Sequence, residues 1–187
     1  MPRYVALLRG INLGSRSKVA MADLRQVVTS LGHTEVATYI KSGNVVFTSP
    51  DADPISLAGA LEQELTGQLA VHSAVVVLSR EELARVIADN PFPEETNPKC
   101  LHVVFRSKEM GPDSIAAIAA AQQRARDKGS RDEAVAVGRT LFLRTPDGIG
   151  RSELAAQLAR SGVPAAAGTA RNWATVMRLM AMLDSAA

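Results

Sequence analysis

The chain has 187 residues, 47% of them apolar, with 21 Lys and Arg against 19 Asp and Glu for a formal net charge of +2. That length holds one large domain or two small ones and supplies ample core material. So small a charge, scattered without a run of like sign, argues against general electrostatic binding to nucleic acid or membrane, and a single cysteine, Cys100, rules out an intrachain disulfide.

Tyr4-Val5-Ala6-Leu7-Leu8 is an apolar run within a first strand read over residues 3–9. It ends in Arg9-Gly10-Ile11-Asn12-Leu13-Gly14, and a strand opening into a polar, glycine-bearing loop is a common place for a ligand in open α/β sheets. Arg9 at the end of such a strand is expected to be buried and paired. Met21, Leu24, Val27, Val28 and Leu31 recur at helical spacing up to Gly32. Residues 35–40 read as a second strand, Ser42-Gly43 as a turn, and Val45-Val46-Phe47 as a third strand. Asp53-Pro54 suits a helix start with an apolar stripe of Leu57, Leu61 and Leu65, and Val71 to Leu78 reads as a fourth strand.

Ser79-Arg80-Glu81-Glu82 opens a short helix to about Asp89. Pro91, Pro93 and Pro98 then mark a linker or ordered loop. Leu101 to Phe105 is a strand, residues 113–128 an Ala-rich helix, and Ala134–Val137 with Thr140–Leu143 a hairpin around Gly138-Arg139. Ser152 to Ala159 is a further helix. Thr169 is read as the N-cap of a last one, whose face carries Trp173, Val176, Met177, Met180 and Leu183.

The pattern predicts an α+β fold of two ferredoxin-like, β-α-β-β-α-β subdomains, the second lacking its final strand and finished by a C-terminal helix. The expected boundaries are 1–79 for the first subdomain, 80–99 for the connection and 100–187 for the second. No basic stretch precedes an apolar one at the start, and no long uncharged apolar segment occurs, so a cytoplasmic protein without a membrane partner is expected.

Three groups of residues carry candidate chemistry. Gly148-Ile149-Gly150-Arg151-Ser152 joins a strand to a helix, where free N–H groups attract anions; the plainer reading is a turn with Ser152 as the cap. Arg171 and Asn172 lie in the predicted first turn of the last helix, where a positive charge opposes the macrodipole and calls for an anion or an internal acid such as Asp147. Lys41-Ser42-Gly43-Asn44-Val45-Val46-Phe47 sits on the third strand, where RNA-recognition domains carry stacking aromatics; those are missing, and Ser42 and Asn44 have the plainer task of satisfying a turn. His33, His72 and His102 lack metal-ligand spacing, so no metal site is expected. The phosphate-loop signature and a nucleophile elbow are both absent.

Tyr4 through Asn12, Lys18 with Met21-Ala22-Asp23-Leu24, and Tyr39 through Phe47 are then followed by Leu101 through Phe105, Pro146 through Ser152, and Arg171-Asn172-Trp173. On these motifs, in this order, the chain resembles the bacterial family catalogued as domain of unknown function 1697. The resemblance implies two ferredoxin-like subdomains, and it implies neither an activity nor a cofactor. The chain departs from the family pattern at Leu13-Gly14-Ser15-Arg16-Ser17, at Ala20 where proline is common, at Glu153 where lysine is frequent, and at Ala174 where asparagine is frequent.

The resulting expectation is a protein that binds a small anionic ligand, a nucleotide or a phosphorylated or carboxylated metabolite, in a cleft between subdomains. Arg9, Asn12, Lys18, Ser42, Asn44, Gly148, Gly150, Arg151, Arg171 and Asn172 are the expected ligand-binding residues. Asp147 and His102 are the candidates for a general base. The alternatives are a nucleic-acid-binding module, which requires a continuous basic stripe, and a structural role in which the same polar residues form an internal network.

Overall fold

The computed structural model describes residues 1–13, 18–51, 53–161 and 168–185. The chain is mixed α+β, with two four-stranded antiparallel sheets and, among the described residues, six α-helices. It divides into two compact units: residues 1–85 together with the chain from Arg178 onward, and residues 86–177.

In the first unit the chain order is β1 (Arg3–Leu8), α1 (Met21–Ser30), β2 (Thr34–Tyr39), β3 (Asn44–Thr48), α2 (Pro54–Leu69) and β4 (Val75–Ser79), and the sheet order is β2-β3-β1-β4. The register sets Tyr4 opposite Phe47, and Ala6 opposite both Val45 and Val77, so one face of the sheet is continuous. Leu24, Val27 and Val28 of α1 and Leu57, Leu61 and Leu65 of α2 bury against it. Val5, Leu7 and Val46, on the other face, are buried as well, which explains why β1 reads as an unbroken apolar run rather than an alternating one. The α2 start is as expected, with Pro54 in the first turn and the Asp53 carboxylate accepting from the Ile55 and Ser56 amides. The fourth strand is shorter than expected and begins at Val75, not Val71. The amide of Val75 is taken by the Glu62 carboxylate (2.8 Å), and Ser73 bonds to the backbone of Arg9, so the residues before Val75 form a side-chain-held loop.

α3 (Arg80–Ala88) opens on a reciprocal capping box: the Glu82 amide donates to Ser79 Oγ (3.1 Å) and the Ser79 amide donates to Glu82 Oε2 (2.9 Å). The proline-bearing stretch beyond is an ordered loop. The Phe92 amide bonds to Asn90 Oδ1 and the Lys99 amide to Asn97 Oδ1, and Phe92 is buried.

The second unit holds β5 (Leu101–Phe105), α4 (Pro112–Asp127), β6 (Glu133–Val137), β7 (Thr140–Arg144), α5 (Glu153–Arg160) and β8 (Thr169–Asn172), with sheet order β6-β7-β5-β8. This corrects the expectation of an incomplete second half: the fourth strand exists and lies antiparallel to β5, with His102 opposite Asn172 and Phe105 opposite Thr169. Thr169 is therefore a strand residue rather than a helix cap. Gly168, just before it, runs so close to β5 that an added Cβ would lie 2.5 Å from the Phe105 carbonyl oxygen. Helix α6 (Trp173–Asp184) starts later, capped by Asn172, whose Oδ1 accepts from the Thr175 amide (2.9 Å). Its buried positions are Thr175, Val176, Leu179 and Leu183, while Met177 is exposed and Trp173 half-buried, so the predicted stripe was rotated on the helix.

The last turns of α6 belong to the first unit. Arg3 Nη1 donates to the carbonyls of Leu183 (3.2 Å) and Ser185, and Arg80 pairs with Asp184 at 2.7 Å. A cation on the last carbonyls of a helix satisfies acceptors that the helix leaves open and complements its dipole. No described helix is long and apolar enough to cross a membrane.

Two predictions follow from this packing. His33 is 4% exposed and stacked on Phe47 at 4.8 Å, with no hydrogen-bond partner for either ring nitrogen among the described residues. Burial pushes its pKa down, against a weaker upward pull from Asp51, and burial lowers His102 in the same way. The unfolded chain then binds the extra protons, so stability is full above the ordinary histidine range, about 6.5, and falls as pH drops below it. His33→Phe should flatten this fall, and the His33 ring protons should titrate by NMR below an exposed histidine; a titration at the ordinary value contradicts the assignment. Second, a chain ending before Thr169 loses both β8 and the α6 turns that Arg3 and Arg80 hold. It should lose cooperative unfolding, and a sharp, dispersed amide spectrum from that truncation would contradict this.

Candidate functional site

The chain leaving β1 turns twice through left-handed backbone, at Gly10 (φ 68°) and Asn12 (φ 55°). Asparagine tolerates that conformation better than most residues. Here it places the Asn12 side chain where all its hydrogen bonds go to backbone. Nδ2 donates to the carbonyls of Val19 (3.0 Å) and Lys41 (2.8 Å), and Oδ1 accepts from the Val19 amide (2.8 Å). Asn12 thus closes the base of the loop that joins β1 to α1 and ties that base to the β2–β3 turn.

The β2–β3 turn is built with equal care for its polar groups. Gly43 (φ 78°) packs so tightly that an added Cβ would meet Leu8 Cβ at 2.8 Å and Ile11 Cδ1 at 3.0 Å. Asn44 is fully buried, and its Nδ2 donates to the Tyr39 carbonyl (3.1 Å) and to Ser42 Oγ (2.9 Å). Ile40 adopts φ 48°, a conformation that costs a β-branched residue on the order of 1–3 kcal/mol, and its side chain is 52% exposed.

Between the closed loop, the start of α1 and this turn lies a cavity of about 570 Å³, lined by Asn12, Lys18, Val19, Ala20, Met21 and Lys41. Val19 and Met21 pack on the core of the first unit. Lys18 and Lys41 are exposed, and among the described residues neither lies within ion-pair distance of a carboxylate. α1 begins on Ala20, which offers no side-chain cap; Asp23 supplies the acid of the first turn. The lining therefore combines apolar residues packed on the core with two lysines, at a helix start that has no capping side chain.

Arg9 does not fit the expectation of a buried residue. β1 ends at Leu8, and Arg9 is exposed. Its backbone is what the fold fixes: the amide donates to Ser73 Oγ (3.1 Å) and the Ala74 carbonyl (2.9 Å), and its carbonyl accepts from Ser73 Oγ (2.8 Å). A second cavity, about 360 Å³, lies beside Ser73 and is lined also by Glu62, Thr66, His72 and Ala74.

The remaining predicted residues belong to the second unit. Gly148 (φ 87°) precedes one 3-10 turn, Ile149–Arg151, which contains Gly150 and in which Arg151 is exposed. The helix start that follows is satisfied internally: Ser152 Oγ accepts from the Ala155 amide and donates to Asp132 Oδ2 (2.9 Å), which also accepts from the Leu154 amide (3.4 Å). Asp132 is buried and carries a carboxylate to the place where an anion was expected. Arg171 is buried on β8; its Nη1 donates to Thr169 Oγ1 (2.6 Å) and the Ala170 carbonyl (2.8 Å), and burial lowers its pKa to about 10. Asn172 caps α6. Asp147 pairs with Arg131 at 2.6 Å, not with Arg171. The His102 ring is partly buried, with Nδ1 unpartnered among the described residues. Glu153 pairs with Lys128 at 2.6 Å.

The site thus gathers Asn12 and Lys18 from the predicted set around one cavity, with Ser42 and Asn44 in the supporting turn. The lining residues outside that predicted set are Val19 and Met21, which pack on the core, and Lys41 and Ala20. The signals for the latter pair were a cation in a tight β2–β3 turn and a helix start with no capping side chain.

A family model described as "Protein of unknown function (DUF1697)" matches residues 1–142. A conserved bacterial protein from Streptococcus pneumoniae has a similar solved structure, with TM-score 0.72 and 26% sequence identity over 98% of this chain and 99% of that one. No curated protein matches.

One variant separates support from ligand contact in the β2–β3 turn. Asn44→Ala leaves the Tyr39 carbonyl and Ser42 without their buried donor and should lower the unfolding free energy by about 1–3 kcal/mol. Unchanged stability in a chemical denaturation series contradicts the supporting role.

Proposed function

The chain belongs to the DUF1697 family, described as one of unknown function, and we propose from the site itself that it binds a small anionic ligand in the cavity at the start of α1. The observation that carries this reading is the conjunction of a ligand-sized concavity with Lys18 and Lys41, cations that meet no described carboxylate, beside a helix start capped only by Ala20. Cavities of a few hundred Å³ suit small molecules, and helix N–H groups with nearby ammonium groups favour negative charge. The pocket is formed by residues of the first unit alone. This replaces the expected cleft between subdomains as the proposed location.

Each half is read as a ferredoxin-like unit. The β-α-β-β-α-β order and the shared arrangement β2-β3-β1-β4 and β6-β7-β5-β8 support that reading. The same loop position, between the first strand and the first helix, then carries the ligand site in one half. A cytoplasmic setting is proposed with it, in keeping with a lone, buried Cys100. The structural-network reading is favoured for one subset of residues, Asn12, Ser42 and Asn44, because the Asn12 and Asn44 amides donate within the fold and Ser42 Oγ accepts from Asn44.

The test compares thermal unfolding in inorganic phosphate and in chloride at matched ionic strength. Phosphate should raise the melting temperature of the natural protein more than chloride does, and Lys18→Gln with Lys41→Gln should abolish that difference. Ala20→Asp supplies the missing cap, so it should add about 0.5–2 kcal/mol of stability without phosphate while removing the phosphate response. General salting-out acts on all variants alike, so the differences between proteins are the quantity to read. Equal responses in all three proteins would contradict an anion site here.

A further inference from the structure

We infer that the ligand of this cavity is a doubly charged anion of the phosphomonoester kind, rather than a monoanion such as a phosphodiester or a monocarboxylate; this rests on the anion-site reading above. The first unit divides its charge along the strand axis. The register brings three connections to the end of the sheet where β1 stops: residues 9–20 after β1, the β2–β3 turn 40–43, and residues 70–74 before β4. Their sequence holds no Asp or Glu, and among their described residues are Arg9, Lys18, Lys41 and His72. Residues 14–17 lie outside the described structure, and their sequence, Gly14-Ser15-Arg16-Ser17, adds no carboxylate either. The opposite end carries Glu35 near the start of β2, Asp51 and Asp53 between β3 and α2, and Glu81 and Glu82 after β4, with Arg3 and Arg80 among them.

Lys18 and Lys41 line one cavity at the acid-free end. Two acids of the flanking helices come towards that end. Glu62 of α2 already accepts from the Val75 amide (2.8 Å), and Asp23 stands in the first turn of α1. Neither lies within ion-pair distance of Lys18 or Lys41. Two ammonium groups on one cavity repel each other, and an anion bound there relieves the repulsion. A monoanion balances one of the two charges and a dianion balances both. Coulomb attraction scales with the charge on the ligand, so a dianion gains about twice what a monoanion gains from the same pair. A phosphomonoester carries its two charges on the oxygens of one phosphorus, whereas a phosphodiester or a monocarboxylate carries one charge.

The test is an NMR titration of the full chain with methyl phosphate and dimethyl phosphate at fixed ionic strength, from about pH 5 to about pH 8. Methyl phosphate should tighten about tenfold across this range, because its second ionisation lies at about 6. Dimethyl phosphate keeps one charge throughout and should stay weak. A change in the protein's own charge, at His72 for example, bears on both probes, so their ratio is the quantity to read. Lys18→Gln and Lys41→Gln, at exposed positions and with their amide spectra retained, should each narrow the ratio at pH 8. Dimethyl phosphate binding as tightly as methyl phosphate at pH 8 overturns this inference and leaves the anion reading standing. A ratio unchanged in the double variant overturns the assignment to these lysines. Absence of binding by either probe overturns both readings. Small phosphomonoesters and the terminal phosphate of a nucleic-acid strand share this chemistry. A 5′-phosphorylated oligonucleotide binding no more tightly than methyl phosphate supports the small molecule, and one binding more tightly than both methyl phosphate and its own unphosphorylated form supports the strand end. An unphosphorylated strand that matches its phosphorylated form and exceeds methyl phosphate overturns the inference in favour of a polynucleotide backbone.

Discussion

Three hydrogen bonds from one side chain organise the part of this molecule in which its chemistry is read. The Asn12 amide holds both the N–H and the carbonyl of Val19 and reaches across to the carbonyl of Lys41. The first two close the loop between β1 and α1 at its base; the third fixes that base to the β2–β3 turn. Val19 can then be buried, α1 can start at Met21, and Lys18 and Lys41 come to line the same cavity. An amide is suited to this task because it donates and accepts at once and carries no charge that burial would penalise. The left-handed backbone at Asn12 is part of the same device, since it aims the side chain back at its own loop.

The two halves repeat one plan but treat their helix starts differently. α2, α5 and α6 each have a capping side chain, from Asp53, Ser152 and Asn172, and α3 has the Ser79–Glu82 box. α5 has in addition the buried Asp132. The first helix of each half has no such cap: α1 begins at Ala20 and α4 at Gly111. The two are not equivalent in chemistry. α4 has proline in its first turn, which removes a donor, whereas α1 keeps its donors and faces a cavity with two lysines. A sequence motif rich in glycine, Gly148 to Ser152, thus belongs to a structural turn, and Ala20 marks the helix start without a capping side chain.

Much of the fold was legible because local signals agreed with the tertiary context. Asp53-Pro54 and Ser79 with Glu82 are helix starts whose chemistry is complete within four residues, and the structure has them as read. β8 was not legible. Thr169-Ala170-Arg171-Asn172 is short and polar, and its strand character comes from pairing with β5, a neighbour 60-odd residues earlier in the chain. Reading that strand as helix puts Arg171 in a first helical turn, whereas it is a buried strand residue and Asn172 is the cap of the helix that follows. The expected burial of Arg9 fails because the apolar strand stops one residue before it, and Arg9 is exposed. For the site, the sequence identified the loop and the turn but not the direction in which their amides point. That depends on left-handed backbone at Asn12 and on the tight packing of Gly43 against Leu8 and Ile11.

The measurement that bears most directly on the organising role of Asn12 is amide hydrogen exchange at Val19, read by NMR in the natural protein and in Asn12→Ala. The Val19 amide has Asn12 Oδ1 as its acceptor. It should be protected in the natural protein and exchange freely in the variant, while amides of the central strands, such as Val5 and Val46, keep their protection. A Val19 amide that exchanges freely in the natural protein, or that remains protected after Asn12→Ala, would contradict the role assigned to this side chain.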